Sequence, residues 1–188
     1  MNITTLTSDI SLKRQLESGN EEQLKTVRQV IADVRKRGDE AIRMYSEKWD
    51  GFAPKNLRVT AEEIEDAVKG FDEQLYADLS EAAANIRLYH SAQKRDGYEL
   101  PLADGSWSGQ RITPLDAVGL YVPGGSAAYP SSVLMNVIPA QVAGVKRIVI
   151  TSPAGRDGKL PAAVLVAAHI LGVTEIYKAG GAQAIAAL

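Results

Sequence analysis

Residues 118–151, VGLYVPGGSAAYPSSVLMNVIPAQVAGVKRIVIT, decide the fold. They read as an apolar strand, a glycine turn, an apolar helix and a second apolar strand. The pattern restarts at residues 175–188, EIYKAGGAQAIAAL, where a strand and a double-glycine turn recur before about two turns of helix. Strand–helix–strand at this spacing implies right-handed crossovers and parallel pairing. The expected strands lie at about 117–122, 146–151 and 174–178, with helices at roughly 130–144 and 160–171 between them. Pro139 removes a hydrogen bond inside the first of these helices and should kink it. Asp157, Gly158 and Gly172 supply turn and helix-stop signals. The expected class is α/β, a doubly wound parallel sheet that these residues begin and do not complete.

Composition narrows the possibilities. With 188 residues, 45% hydrophobic and 23% charged, the chain can bury a core and build one or two domains. A net charge of -2 gives no bulk positive field, so neither nucleic acid nor an anionic membrane is an expected partner. The longest apolar runs, such as AAVLVAAHILGV, are too short to span a bilayer. Met1 is followed by polar residues and Asp9, not by a basic-then-apolar leader, so a cytoplasmic protein is expected. There is no cysteine, which excludes disulfides, thiolate catalysis and thiolate-bound metal in these residues.

Charge is unevenly spread. Residues 1–96 hold 33 of the 44 charged residues and residues 97–188 hold 11, so the first part reads as exposed helices and the second as buried sheet layers. Leu24, Val27, Val30, Ile31 and Val34 mark an amphipathic helix over 21–37, stopped by Gly38. Asp39 is the expected cap of a helix running to Trp49, with Ile42, Tyr45 and Trp49 on one side. Thr60 followed by Glu63 is a capping box opening a short helix with Ile64 and Val68. A long helix is expected over 73–94, its buried stripe passing through Leu75, Leu79, Ala82, Ile86 and Tyr89. Gly97, Pro101, Gly105, Gly109 and Pro114 punctuate a polar hairpin or connector. The division is therefore a helical segment 1–96, a connector 97–116 and a partial α/β domain 117–188.

The candidate chemistry gathers at the two glycine turns. Pro123, Gly124, Gly125 and Ser126 follow a strand and precede a helix, where backbone can approach a ligand. The turn lacks the three-glycine spacing of the dinucleotide fingerprint and the lysine of a P-loop. On spacing alone a tight structural turn is the simpler reading. Gly180 and Gly181 repeat the arrangement one strand later, and two such turns at carboxyl ends of neighbouring parallel strands face one crevice. Tyr121 ends an apolar strand with a polar tip, and Gln183 is the one strongly polar side chain in AGGAQAIAAL. A buried amide left without partners costs about 1–3 kcal/mol, so Gln183 should bond something, whether a ligand or local backbone. His90 suits the carboxyl end of the long helix, and His169, inside an apolar run, reads as a core histidine. Neither has a partner at metal-ligand spacing, and no general base or nucleophile stands out.

The words GLYVPGGSA, YPSSVLMNVIPAQVAGVKRIV, LGVTEIYKAG and GGAQAIAAL resemble the histidinol dehydrogenase family. RKRGDEAIRMYSEKWDG and NIRLYHSAQK match its first segment in order and spacing. The resemblance covers nearly all of the chain after residue 20 and implies the N-terminal portion of a protein roughly twice as long. It implies an incomplete Rossmann-like domain and oxidation of L-histidinol through histidinaldehyde to L-histidine, with two NAD and one zinc per site. It also implies a homodimer whose active site is completed across subunits. By position, Tyr121 and Gln183 match the family's NAD-contacting tyrosine and glutamine. The family's zinc ligands, glutamate–histidine acid–base pair and substrate contacts fall beyond residue 188, so no catalytic or metal residue is expected here.

Two other readings stay open on the residues. One is a dehydrogenase of another small alcohol on the same scaffold; the other is a helical interaction module with a vestigial sheet. These 188 residues on their own are expected to be inactive and to self-associate, because the strand at 117–122 carries no charge or proline to guard an open edge.

Overall fold

The computed structural model describes residues 21–124 and 128–188. The described residues of the charge-rich first part form four helices: α1 (Glu21–Arg37), α2 (Asp39–Asp50), α3 (Ala61–Lys69) and α4 (Glu73–Ser91). Gly38, at φ 54°, breaks α1 from α2 and is itself the residue before the first turn. Asp39 is thus not the cap. It starts α2, makes no capping bond and pairs with Arg43 one turn on at 3.5 Å. The Thr60 capping box forms as expected: the Glu63 N–H donates to Thr60 Oγ1 at 3.2 Å, and the Thr60 N–H donates to Glu63 Oε2 at 2.9 Å. Asp72 caps α4 by accepting from the Leu75 N–H.

The long helix ends at Ser91, earlier than its sequence suggests, and only the middle of its stripe is covered. Ala83 is buried, and Leu79, Ala82 and Ile86 pack beside it. Leu75 and Tyr89 are more than half exposed. The cause is length: α4, at 19 residues, spans about 28 Å, while its neighbour α5 (Pro130–Ala143), at 14 residues, spans about 21 Å. Trp49 likewise stacks on Tyr45, ring centroids 4.7 Å apart, but keeps its outer face in solvent.

A two-stranded antiparallel hairpin, β1 (Tyr98–Pro101) and β2 (Trp107–Gln110), occupies the connector, every residue of it exposed. The three strands read from the glycine pattern follow: β3 (Ala117–Tyr121), β4 (Arg147–Ser152) and β5 (Glu175–Lys178). They pair in parallel in the order β3-β4-β5, with α5 joining the first two and α6 (Ala162–Ile170) the second two.

Side chains alternate across the sheet. Leu120, Val122, Ile148, Ile150 and Ile176 join the core formed with α5 and α6, and α3 and α4 add Ile64 and Ala83 to it from outside. Tyr177 faces the other way, toward a second core of Val30, Val34, Ile42 and Tyr45 from α1 and α2. Ala184 of α7 (Gly181–Ala187) completes that second core. The helix after β5 therefore lies on the opposite face from α5 and α6, which is the arrangement of a doubly wound sheet.

The two sheet edges differ. Residues 57–59 run antiparallel beside β5: the Val59 N–H donates to Ile176 O at 2.9 Å and the Lys178 N–H donates to Leu57 O at 2.6 Å. Among the described residues, no strand pairs with the outer side of β3.

Candidate functional site

The carboxyl ends of the three strands lie side by side because the strands are parallel and in register, Tyr121 opposite Thr151 and Ser152 opposite Lys178. Two bonds tie the ends together. The Val122 N–H donates to Thr151 O at 2.8 Å, and buried Thr151 Oγ1 donates to Ala179 O at 2.6 Å. A third, longer contact crosses the crevice: the Gly181 N–H donates to Tyr121 Oη at 3.4 Å. At that length it is a weak bond, so the tyrosine hydroxyl keeps capacity for another partner.

Gln183 stands one turn inside α7 with 0% of its surface exposed. Neither its Oε1 nor its Nε2 has a hydrogen-bond partner among the described residues. Its amide folds back over Gly181: a Cβ there would sit 2.7 Å from Gln183 Oε1. Gly181 also has φ +61°, which only glycine adopts without strain. Ser152 Oγ, at the end of the middle strand, is buried and unpartnered too. A buried polar atom without a partner costs about 1–3 kcal/mol, and three such atoms lie at this end of the sheet. Gln183 meets such a ligand only when its side chain turns outward, because it is sealed from solvent as it stands.

Tyr121 and Gln183, both singled out by sequence, are thus brought to one crevice, bridged by the backbone of Gly181. Gly124 belongs to the same end of the sheet, while Gly125 and Ser126 lie outside the described residues. Sequence reading missed Thr151 and Ser152. Their signal was present: two hydroxyl residues end the otherwise apolar run RIVITS.

Lys178 closes β5 with its ammonium nearly buried, donating to Glu63 Oε1. Burial pushes the Glu63 carboxyl upward, but the hydrogen bonds from Lys178 and the Thr60 N–H outweigh it and hold the group below its ordinary value of 4.5. The pair fastens the first turn of α3 to the crevice end of the sheet.

The histidines do not join this site. His90 sits in the last turn of α4, as expected, with Nδ1 2.7 Å from Gln93 Oε1. His169 is exposed, not a core residue: Ala167, Ala168 and Leu171 around it are buried, but its own side chain lies on the face of α6 turned to the rim of an open cleft. That cleft, of about 1000 Å³, lies along the sheet face between residues 57–61 and α7. Val149, Tyr177, Leu57 and Ala184 line it, whereas Tyr121 and Gln183 do not.

Comparison with known proteins gives the crevice its context. A family profile described as histidinol dehydrogenase matches residues 13–188. The chain is 60% identical over 188 residues to a histidinol dehydrogenase of Geobacillus kaustophilus, covering all of this chain and 44% of that protein. It is 52% identical over the same span to one from Halalkalibacterium halodurans, again 44% of its length. Among solved structures, a histidinol dehydrogenase from Elizabethkingia anophelis superposes with a TM-score of 0.85 at 34% identity, over 93% of this chain and 40% of that one. The chain spans under half the length of the curated relatives it matches. On the profile match and these identities, the chain belongs to the histidinol dehydrogenase family.

Proposed function

We propose that these residues form part of an NAD-dependent, zinc-requiring histidinol dehydrogenase, cytoplasmic and homodimeric, that oxidises L-histidinol to L-histidine through histidinaldehyde. Family membership supports the reaction, and the orphaned Gln183 amide at the carboxyl ends of the strands supports this chain's share in it. When bound, NAD would supply the hydride acceptor for each of the two oxidations, with Tyr121 and Gln183 as the residues of this chain that would hold it. Residues 1–96 act as scaffold, 97–116 as connector and 117–188 as the cofactor wall.

Within that wall, the chain's work is binding and orientation. The glycine turns let backbone approach the dinucleotide, Tyr121 Oη offers a donor and an acceptor, and Gln183 supplies an amide that can do both. Among the described residues, no group of three or more His, Asp or Glu is arranged to hold a metal. No helix among the described residues is long and apolar enough to cross a membrane.

The test uses the protein extended to the full length of its relatives. Tyr121→Ala and Gln183→Ala should each raise the Kd for NAD several-fold to tens-fold, as expected for losing about 0.5–1.5 kcal/mol or somewhat more. Zinc content and histidinol affinity measured without NAD should stay put. Unchanged NAD affinity in both variants overturns the assignment of the crevice.

A further inference from the structure

The middle strand ends in a proline, and that proline touches both glycine turns. A Cβ on Gly180 would lie 2.6 Å from Pro153 Cβ, 3.1 Å from its Cγ and 3.3 Å from its Cδ. A Cβ on Gly124 would lie 2.6 Å from Pro153 Cγ and 2.9 Å from Pro153 O. Contacts under 3.0 Å force something to move, and little here can. The pyrrolidine ring fixes its own φ, and β4 is held on both sides by β3 and β5.

Backbone conformation does not explain these two glycines. Gly180 has φ −120° and ψ −175°, extended geometry open to any residue. Gly124 is not among the glycines with positive φ. What both positions require is the absence of a side chain facing Pro153. The contrast with Gly181, whose φ of +61° does require glycine, makes the point within one turn.

We propose that Pro153 is a positioning residue, a wedge between the turns after β3 and β5 that sets the gap in which the dinucleotide lies. The proposal rests on the NAD reading above and adds to it the element that fixes the geometry. Because β4 is the middle strand, the residue just past its end is the one place from which a single side chain can reach both turns. Thr151 holds the same two turns two residues earlier, its carbonyl accepting from the Val122 N–H and its hydroxyl donating to Ala179 O. Tyr121 and Gln183 are carried on the two sides of this clamp, so their separation follows from the size of the ring between them.

A variant cycle in the full-length protein tests this. Gly180→Ala should raise KM for NAD about tenfold or more, with kcat within about twofold and KM for the alcohol unchanged. Pro153→Gly alone should raise it a few-fold by loosening the gap. The double variant should recover much of the Gly180→Ala loss, because all three atoms that crowd Gly180 belong to the proline side chain. Gly124→Ala is the internal control: Pro153→Gly should rescue it less fully than it rescues Gly180→Ala, since the residue-153 carbonyl remains 2.9 Å away. Amide hydrogen exchange at Gly181, which needs no cofactor, should accelerate in Gly180→Ala and slow again in the double variant. Unchanged KM for NAD in Gly180→Ala, or losses that simply multiply in the double variant, overturn the wedge. An unsubstituted protein whose activity does not depend on NAD overturns the dinucleotide reading instead, and the exchange pattern at Gly181 then stands or falls separately.

Discussion

The crevice at the strand ends and the open cleft along the sheet face differ in a way that volume alone would misjudge. The cleft is large, about 1000 Å³, and several of its polar groups are already paired. Thr151 Oγ1 donates to Ala179 O, Thr60 Oγ1 accepts from the Glu63 N–H, and Arg43 pairs with Asp39. Its floor of Val149 and Tyr177 offers little beyond apolar surface. At the crevice end of the sheet, three buried polar atoms have no partner among the described residues, on Gln183 and Ser152. Unmet hydrogen-bonding demand identifies a ligand site more sharply than empty space does. Doubly wound sheets also bind ligands outside the carboxyl ends of their strands, which is where the crevice lies.

The largest effect should come from loosening the brace behind the crevice. Glu63→Gln leaves the Lys178 ammonium, 8% exposed, without its carboxylate. Breaking a fully buried pair costs about 3–5 kcal/mol; Glu63 keeps 29% of its side chain exposed, so about 1–3 kcal/mol is expected here. Lys178→Met should cost less than Glu63→Gln, because it removes the buried charge along with its partner's bond. Urea midpoints of the two variants check the order. The pH dependence follows from the direction of the Glu63 shift. Its folded value lies below the ordinary 4.5, so the pair's contribution is complete above about pH 4.5 and is lost as pH falls below that through the folded value. Glu63→Gln should flatten this acid limb. An acid limb of unchanged shape would place the brace elsewhere.

Gln183→Met sharpens the contrast between the two regions, because it should move stability and affinity in opposite directions. Exchanging an unpartnered buried amide for a thioether of similar length removes a polar burial cost, so the variant should be more stable by about 1 kcal/mol. NAD affinity should fall tenfold or more. A loss of stability would mean that the amide is satisfied in solution, and the crevice would then have no more claim on a ligand than the cleft.

Where the sequence was informative, the signal was local. The stop at Gly38, the Thr60 capping box, the parallel strands and the polar outliers Tyr121 and Gln183 all depend on neighbours within a few residues. What was missed depends on contacts distant in sequence. Nothing in residues 57–59 announces a segment that lies beside β5, more than a hundred residues on. Asp39 resembled a cap because aspartate favours that role, but the φ of 54° at Gly38 turns the chain one residue earlier. His169 resembled a core residue because its neighbours are apolar, and only the assembled layers show that this one position of α6 faces outward while Ala168 and Leu171 stay buried. The role of Pro153 needed the strand order itself, since a residue between two turns has no meaning until three strands are side by side.

The smallest expected effect is the one that most directly separates the two regions. His169 stands exposed at the rim of the cleft and has no part in the crevice. If the cleft were the cofactor site, His169→Ala would remove a polar group from its mouth and weaken NAD binding by at least several-fold. If the crevice is the site, the substitution changes only a solvated side chain at a helix end. NAD affinity should then stay within about twofold, and stability within about 0.5 kcal/mol, the usual range for surface changes. Titration of NAD and a urea melt on the same variant give both numbers. A selective loss of NAD affinity at unchanged stability would reverse the assignment, giving the larger, apolar region the ligand and leaving the orphaned atoms of Gln183 and Ser152 as a burial cost that the fold carries without a ligand.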